Sequence, residues 1–286
     1  METGKTRRMK RIFRNKERTL IVPMDHGVSV GPIQGLDDAS KTIDLVTEGG
    51  ADAILVHAGI AKTLSNVETG LIIHLSGGTR LSLDPTWKAQ LTTVRAAVRL
   101  GADAVSVQIN VGSPHEQAML ESFSQIAEEC QGLGLPILAM MYPRGPVIPN
   151  EHSLDAVSHA ARLGYEIGAD MVQTNYTGDA DTFRRVVHSV KVPVVIAGGP
   201  PASSDSQVLD MVAGAISAGA AGVSIGRNIF QHKNPTAMTK AIKSIVHGGS
   251  VSLEVQSLLD ESNERIQLEG TRDSRAEEQY KGGRME

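Results

Sequence analysis

Glu48-Gly49-Gly50-Ala51-Asp52-Ala53 runs into Ile54-Leu55-Val56-His57, and the same grammar returns at Leu100-Gly101-Ala102-Asp103-Ala104 before Val105-Ser106-Val107-Gln108, at Ile167-Gly168-Ala169-Asp170 before Met171-Val172-Gln173-Thr174, and at Ala218-Gly219-Ala220-Ala221-Gly222 before Val223-Ser224-Ile225. Each copy reads as a helix end closed by glycine, a tight turn and a short strand. Glycine supplies the left-handed backbone that ends a helix. A helix-to-strand junction that recurs in this way marks alternating α/β architecture.

From those anchors eight strands are predicted: Thr19–Asp25, Ala53–His57, Leu71–Leu75, Ala104–Asn110, Pro136–Tyr142, Met171–Tyr176, Val192–Ala197 and Gly222–Ile225. Helical patterns fall between most of them, at Leu36–Glu48, Lys88–Leu100, Pro114–Leu133, Leu154–Ile167, Ala180–Ser189 and Ser206–Ala218. The gap between the second and third strands has room only for a reduced helix or a loop. No early GxGxxG turn is present and polar residues end nearly every strand, so the reading is a single (β/α)8 TIM barrel rather than an open doubly wound sheet. Residues 1–18 are expected to form a basic arm or helix and 19–249 the barrel. The remainder, 250–286, reads as an amphipathic helix over Val251–Gln267 and a flexible polar tail too poor in apolar residues to order itself.

A chain of 286 residues suits one such barrel. Aromatics make up only 3%, so the core has to be aliphatic. The net charge of −4 argues against a nucleic-acid partner. The basic run Lys5, Arg7, Arg8, Lys10, Arg11, Arg14, Lys16, Arg18 reads as a solvated face. The single cysteine, Cys130, excludes an intrachain disulfide, fits a reducing cytoplasm and reads as a packed thiol. No apolar run reaches the ~18–20 residues of a membrane span, and the N-terminus lacks a signal-peptide core. The expected location is the cytoplasm.

In a barrel the reactive groups sit at the C-terminal ends of the strands. Those ends carry Asp25-His26-Gly27, His57, His74 with Ser76, Gln108 with Asn110, Tyr142-Pro143-Arg144, Gln173 with Asn175, Gly198-Gly199 and Gly226-Arg227. Glycines at the last two ends let backbone N–H groups approach an anion, and Arg227 adds a forked donor, which together read as a phosphate corner. Taken singly, the same glycines could be plain turn residues. Asp25 is a general-base candidate, with a loop salt bridge or helix cap as the alternative. Tyr142 can donate a proton, unless it is a rim aromatic. Arg144 could hold a second anionic group. His26, His57 and His74 end three neighbouring strands, yet no HxH or HxxxH spacing links them and strand parity is not readable. The sequence is therefore read as carrying no metal site and no cofactor. His115, His152, His159, His188, His232 and His247 read as surface residues.

The motifs Val22-Pro23-Met24-Asp25-His26-Gly27, Ile72-Ile73-His74-Leu75-Ser76-Gly77-Gly78, Ala139-Met140-Met141-Tyr142-Pro143-Arg144-Gly145, Tyr176-Thr177-Gly178-Asp179, Ala197-Gly198-Gly199-Pro200 and Gly226-Arg227-Asn228-Ile229-Phe230 resemble, in order and spacing, the archaeal-type class I aldolase family. The resemblance covers roughly residues 5–250. It implies a transaldolase-type reaction: a deoxy-diketohexose phosphate is cleaved and its three-carbon piece is joined to L-aspartate semialdehyde, on an alternative route to 3-dehydroquinate and aromatic amino acids. Fructose-bisphosphate aldolases are the neighbouring branch. By position it makes Asp25 the proton acceptor and Tyr142 the proton donor. It places Asp25, His26, Gly27, Val28, Ser29, Tyr142, Pro143 and Arg144 against the sugar phosphate, and Gly198, Gly199, Gly226 and Arg227 on its phosphate. It implies a homo-oligomer, in many members a decamer. One position departs. Where the family carries its Schiff-base lysine, three residues before Tyr176, this chain has Gln173. An amide cannot form the iminium. Lys62, Lys88, Lys191 and Lys233 lie in or beyond loops, none of them mid-strand. The corresponding expectations, in order, are reduced or absent turnover with the sugar phosphate still bound, a lysine-independent reaction with Asp25 and Tyr142 doing the acid–base work, and a cation in place of the iminium as electrophile.

Overall fold

The computed structural model describes residues 3–14, 18–248, 256–257 and 259–260. Its strands are β1 (Thr19–Pro23), β2 (Ala53–His57), β3 (Gly70–His74), the short pair β4 (Ser76–Gly77) and β5 (Ala89–Gln90), then β6 (Ala104–Val111), β7 (Ile137–Pro143), β8 (Met171–Thr174), β9 (Val194–Ala197) and β10 (Gly222–Ser224). Its helices are α1 (Thr3–Ile12), α2 (His26–Val30), α3 (Ala39–Glu48), α4 (Ala58–Ala61), α5 (Val94–Arg99), α6 (Glu116–Leu133), α7 (Leu154–Glu166), α8 (Ala180–His188), α9 (Asp205–Ser217), α10 (Arg227–Phe230) and α11 (Pro235–Gly248). Eight strands close a parallel barrel in the order β1-β10-β9-β8-β7-β6-β3-β2, so the fold is the predicted (β/α)8 barrel. The segment expected to form a C-terminal helix and tail lies outside the described residues, apart from 256–257 and 259–260, which are helical. Lys16 of the basic run also lies outside them.

The strands are buried on both faces, as parallel strands covered by helices must be, and their residues sort into two cores. Leu20, Val22, Ile54, Val56, Ile73, Val105 and Val172 face the helices. Ile21, Ala53, Leu55, Ile72, Ala104, Leu138, Met140, Tyr142, Met171 and Val195 fill the barrel interior. By alternation His57, His74, Gln108 and Gln173 point inward at the C-terminal end.

The Gly-Ala-Asp repeat has a physical role at the opposite end. Gly50, Gly101, Gly168 and Gly219 all hold positive φ, between 81° and 100°. In three copies the aspartate then accepts the first free N–H of the preceding strand: Leu20 to Asp52 at 2.8 Å, Leu71 to Asp103 at 3.0 Å and Ile137 to Asp170 at 3.0 Å. The other carboxylate contacts are cationic or imidazole groups, with Arg11 2.7 Å from Asp103 and Lys5 3.0 Å from Asp170. His247 reaches Asp52 at 2.7 Å. The basic N-terminal segment is a helix whose Arg7, Lys10 and Arg11 form an exposed face, as expected, while Lys5 is buried. Helix α1 lies across the bottom of the barrel, and Ile12 and Phe13 plug the interior core.

Two further expectations are corrected. The helix predicted over Lys88–Leu100 begins only at Val94. Ahead of it Ala89–Gln90 pair with Ser76–Gly77, and the carbonyl of Leu75 takes the N–H groups of Leu91 and Thr92. Thr93 then caps the helix through the Ala96 N–H. His232 and His247, expected at the surface, are largely buried against Asp205 and Asp52.

Candidate active site

The C-terminal mouth of the barrel holds a cavity of about 310 Å³, lined among others by Asp25, His26, Ser29, Lys88, Gln108, Tyr142, Arg144, Gln173, Gly198, Gly199, Gly226 and Arg227. That volume suits a small phosphorylated metabolite, at the lower end of ligand pockets. A neighbouring cavity of about 570 Å³ shares Asn175, Gly198 and Gly199 but none of the acid–base groups. Of the expected sugar-phosphate contacts, Gly27, Val28 and Pro143 stand outside the acid–base cavity.

Asp25 follows β1 and occupies the N-cap position of α2, but its side chain makes no capping bond. It faces the cavity floor, with Oδ1 3.5 Å from His26 Nδ1 and Oδ2 3.9 Å from His74 Nε2. Burial alone would push its carboxyl up. The nearby imidazoles of His74, His26 and His57 outweigh that effect and hold it below the usual carboxylate range, so Asp25 is an anion at neutral pH.

Tyr142 comes from β7 and is 8% exposed, so it is an interior group rather than a rim aromatic. Burial, reinforced by the Asp25 charge, pushes its hydroxyl well above the usual tyrosine range and keeps it protonated. Gln173, on β8 beside Met140, donates from Nε2 to the Tyr142 oxygen at 2.7 Å. The tyrosine is the acceptor in that bond, so its own proton remains free for the cavity. Gln173 Oε1 is buried and has no hydrogen-bond partner.

Gly198, Gly199, Gly226 and Arg227 line the same cavity. Arg227 Nε is likewise buried and unpartnered, an oriented donor awaiting an acceptor. The glycines around it have packing reasons of their own. A Cβ at Gly226 would sit 2.5 Å from the Pro23 carbonyl oxygen, and one at Gly198 would sit 2.8 Å from Ile225. Gly199 holds φ +67°. Arg144 differs from expectation, because its fork is engaged by Glu151 through two bonds of 2.9 Å. Glu151 lies in the loop after β7, and nothing local in the sequence marks it.

Lys88 reads from the sequence as a residue in or beyond the loop after the third strand. Its side chain lines the cavity, reaching back to the Gly78 carbonyl at 3.4 Å. Burial, and then the Arg144 charge, push its ammonium below the usual lysine range. Cys130 is fully buried, and burial pushes its thiol up to about 12, so it is an inert core group.

Strand parity, unreadable in the sequence, is now fixed. His57 and His74 are register partners on β2 and β3, with ring centroids 5.1 Å apart. His26 turns away and packs edge-on against Phe230. His74 is 2% exposed, and burial, only partly offset by Asp25, pulls its imidazole from 6.5 down to about 4. The unfolded chain therefore takes up a proton near pH 6.5 that the folded chain refuses until about pH 4. Stability present above pH 6.5 is lost as pH falls through that window, by about 3 kcal/mol. Denaturant titrations of the wild type should show this loss, and His74→Gln should flatten it. An equal slope in both proteins would assign the proton uptake to another group, with Asp25, His57 and Lys88 the titratable neighbours.

Comparison with known proteins identifies relatives of this chain. The model of the DeoC/LacD family aldolases matches residues 19–232. The chain is 47% identical over 248 residues to the 2-amino-3,7-dideoxy-D-threo-hept-6-ulosonate synthase of Halobacterium salinarum, covering 86% of this chain and 92% of the relative. Among solved structures, an archaeal fructose 1,6-bisphosphate aldolase superposes with a TM-score of 0.82 at 33% identity, covering 86% of this chain and all of that one. Another, an archaeal fructose-1,6-bisphosphate aldolase with its catalytic lysine covalently bound to the carbinolamine intermediate of the substrate, gives a TM-score of 0.80 at 32% identity, covering 85% of this chain and all of that one. Among the described residues no helix is long and apolar enough to cross a membrane.

Proposed function

Because the chain belongs to the DeoC/LacD aldolase family, we propose that it transfers the three-carbon unit of a deoxy-diketohexose phosphate to L-aspartate semialdehyde, a step toward 3-dehydroquinate and the aromatic amino acids. The name of the Halobacterium relative supports this product class. The observation that carries the reading is a single cavity lined by an unpartnered arginine donor, an anionic carboxylate and a tyrosine whose own proton is free to give. Arg227, with the backbone of Gly198, Gly199 and Gly226, holds the phosphate. Asp25 takes the proton from the hydroxyl of the bond that breaks; Tyr142 gives one to the new alkoxide and recovers it from Asp25, which restores both groups.

Gln173 stands where the family resemblance places the Schiff-base lysine. Its amide can hydrogen-bond a ketone oxygen through Nε2 but cannot add to it. The test is turnover of L-aspartate semialdehyde with the diketo-sugar phosphate, in the wild type and in Gln173→Lys. A lysine there would be buried beside the Tyr142 oxygen, where desolvation lowers its pKa and makes it nucleophilic. Borohydride with dihydroxyacetone phosphate should then trap a covalent adduct in Gln173→Lys and none in the wild type. An adduct in the wild type would identify Lys88, which lines the cavity, as the amine. No turnover in either protein would sink the transfer reaction and leave the second reading that Gln173 favours, a sugar-phosphate-binding barrel.

Phosphate binding is tested separately. Arg227→Ala should weaken dihydroxyacetone phosphate binding about ten- to hundredfold in calorimetry, the worth of charge-assisted hydrogen bonds of about 1.5–3 kcal/mol. Unchanged affinity would move the anion elsewhere.

A further inference from the structure

Asp25, His57 and His74 each present one ligand atom, and these atoms all lie within 4.8 Å of one another. We propose that Asp25, His57 and His74 bind a divalent transition metal of the zinc type, and that this cation is the electrophile of the site in place of an iminium at position 173. The inference rests on the proposed aldol chemistry only for the role of the metal; the site itself stands on its own geometry.

Three observations support the site. The first is charge. Asp25 is an anion in the barrel mouth, and among the described residues no lysine or arginine reaches it within ion-pair distance. Its nearest polar side-chain neighbours are the imidazoles of His26 and His74, at 3.5 Å and 3.9 Å. A buried charge of this kind is paired or bound to a cation, and an iminium at position 173 would have provided one. The second is orientation. His74 Nδ1 lies 2.7 Å from Ser106 Oγ. The tautomer that donates there leaves the Nε2 lone pair facing Asp25, the outer-shell arrangement by which metal-ligating histidines are held. The third is reach. Zinc-type metal–nitrogen and metal–oxygen bonds of about 2.0–2.2 Å put neighbouring ligand atoms of a tetrahedral shell about 3.3–3.6 Å apart. The Asp25 Oδ2 to His74 Nε2 separation is 3.9 Å, so side-chain adjustments within about an ångström would close the shell. Ser76 Oγ, 3.4 Å from His74 Nε2, already accepts the Gln108 N–H at 2.9 Å and is free to rotate its own proton away.

Two imidazoles and one carboxylate select zinc, cobalt, nickel or iron(II) over magnesium, and they leave positions open. Asp25 lines the substrate cavity, so an open position faces the bound ketone. With the ketone oxygen on the metal, the bond between the α-carbon and the hydroxyl-bearing β-carbon breaks, its electron pair becomes the enolate double bond, and the carbonyl π pair moves onto the metal-bound oxygen. The hydroxyl proton passes to Asp25 Oδ1, the oxygen not used as ligand. Joining the second aldehyde reverses these movements. No oxidant or reductant is needed.

The test uses the full chain, stripped with chelator and titrated with Co²⁺. Visible d–d absorption should saturate at one equivalent, shift when dihydroxyacetone phosphate is added, and be absent with Mg²⁺. His57→Ala and the isosteric Asp25→Asn should lose the band while keeping the wild-type circular dichroism, and His115→Ala should keep it. Chelator should lower turnover on the order of tenfold or more, with Zn²⁺ restoring it. Absence of the band, or a band that survives in both variants, would overturn the site. A band combined with turnover indifferent to metal would overturn the electrophile role. A substrate-shifted band without turnover would support the site and sink the transfer reaction instead.

Discussion

Asp25→Asn is expected to lower kcat on the order of 10²–10⁴-fold, the range typical of removing a general base, with the circular dichroism spectrum unchanged. The substitution is nearly isosteric and makes no demand on packing. It also leaves no new buried charge, because the imidazoles of His26, His57 and His74 are held neutral by burial at pH 7. What it removes is the proton acceptor facing Tyr142 across the cavity. The wild-type acid limb should lie below the usual carboxylate range, since the surrounding imidazoles depress the Asp25 carboxyl despite its burial. Tyr142→Phe gives the complementary loss: the Gln173 Nε2 donor loses its 2.7 Å acceptor, and the proton donor is gone. Single-turnover kinetics with the deoxy-diketohexose phosphate and L-aspartate semialdehyde separate this chemical loss from binding, which should change little in either variant. An Asp25→Asn enzyme within a few-fold of wild type would remove Asp25 from proton transfer altogether.

How much of this site the sequence discloses depends on whether the signal is local. The strands are legible because parallel strands covered on both faces are unbroken apolar runs, and because Gly-Ala-Asp punctuates their starts. The same property hides their parity. With both faces apolar there is no period-two pattern, so nothing in Ala53–His57 or Gly70–His74 tells which way the terminal histidines point. Only the closed barrel brings them to Asp25. The proposed phosphate corner is legible as one glycine pair and a Gly-Arg step, although Gly198 and Gly226 are also demanded by close approach to Ile225 and Pro23. Lys88 was lost because Lys88-Ala89-Gln90-Leu91 has helix-forming composition, while the Leu75 carbonyl and the Ser76–Gln90 pairing hold it extended. Thr93, a good N-cap three residues before Ala96, was the local sign that the helix starts later. Glu151 meets Arg144 only through the folding of its loop. In the N-terminal helix the basic run conceals Met9, Ile12 and Phe13, spaced three and four apart as one apolar edge.

That concealed helix sets the largest expected effect on stability. Asp170→Ala should cost about 3–5 kcal/mol, the price of breaking a buried ion pair from one side. Asp170 serves two partners at the bottom of the barrel. Its Oδ2 accepts the Ile137 N–H at 3.0 Å, and its Oδ1 pairs with Lys5 Nζ at 3.0 Å. The Lys5 side chain is only 8% exposed, so losing the carboxylate leaves a desolvated ammonium whose remaining hydrogen bond is to Gln131 at 2.8 Å. The Ile137 N–H loses its side-chain acceptor as well, a further penalty of the 1–3 kcal/mol class where water cannot replace it. Asp103 makes the same backbone cap to Leu71, but its cation, Arg11, has a side chain 56% exposed and can turn to water. Asp103→Ala should therefore cost only the cap, about 1–3 kcal/mol. Adding Lys5→Met to Asp170→Ala should recover part of the loss, since an apolar side chain suits the space that a stranded ammonium does not. Guanidinium unfolding of the two single variants and the double variant reads all three values. If Asp170→Ala and Asp103→Ala cost the same, the helix across the barrel bottom contributes nothing through its lysine, and the aspartates act only as caps on the strands.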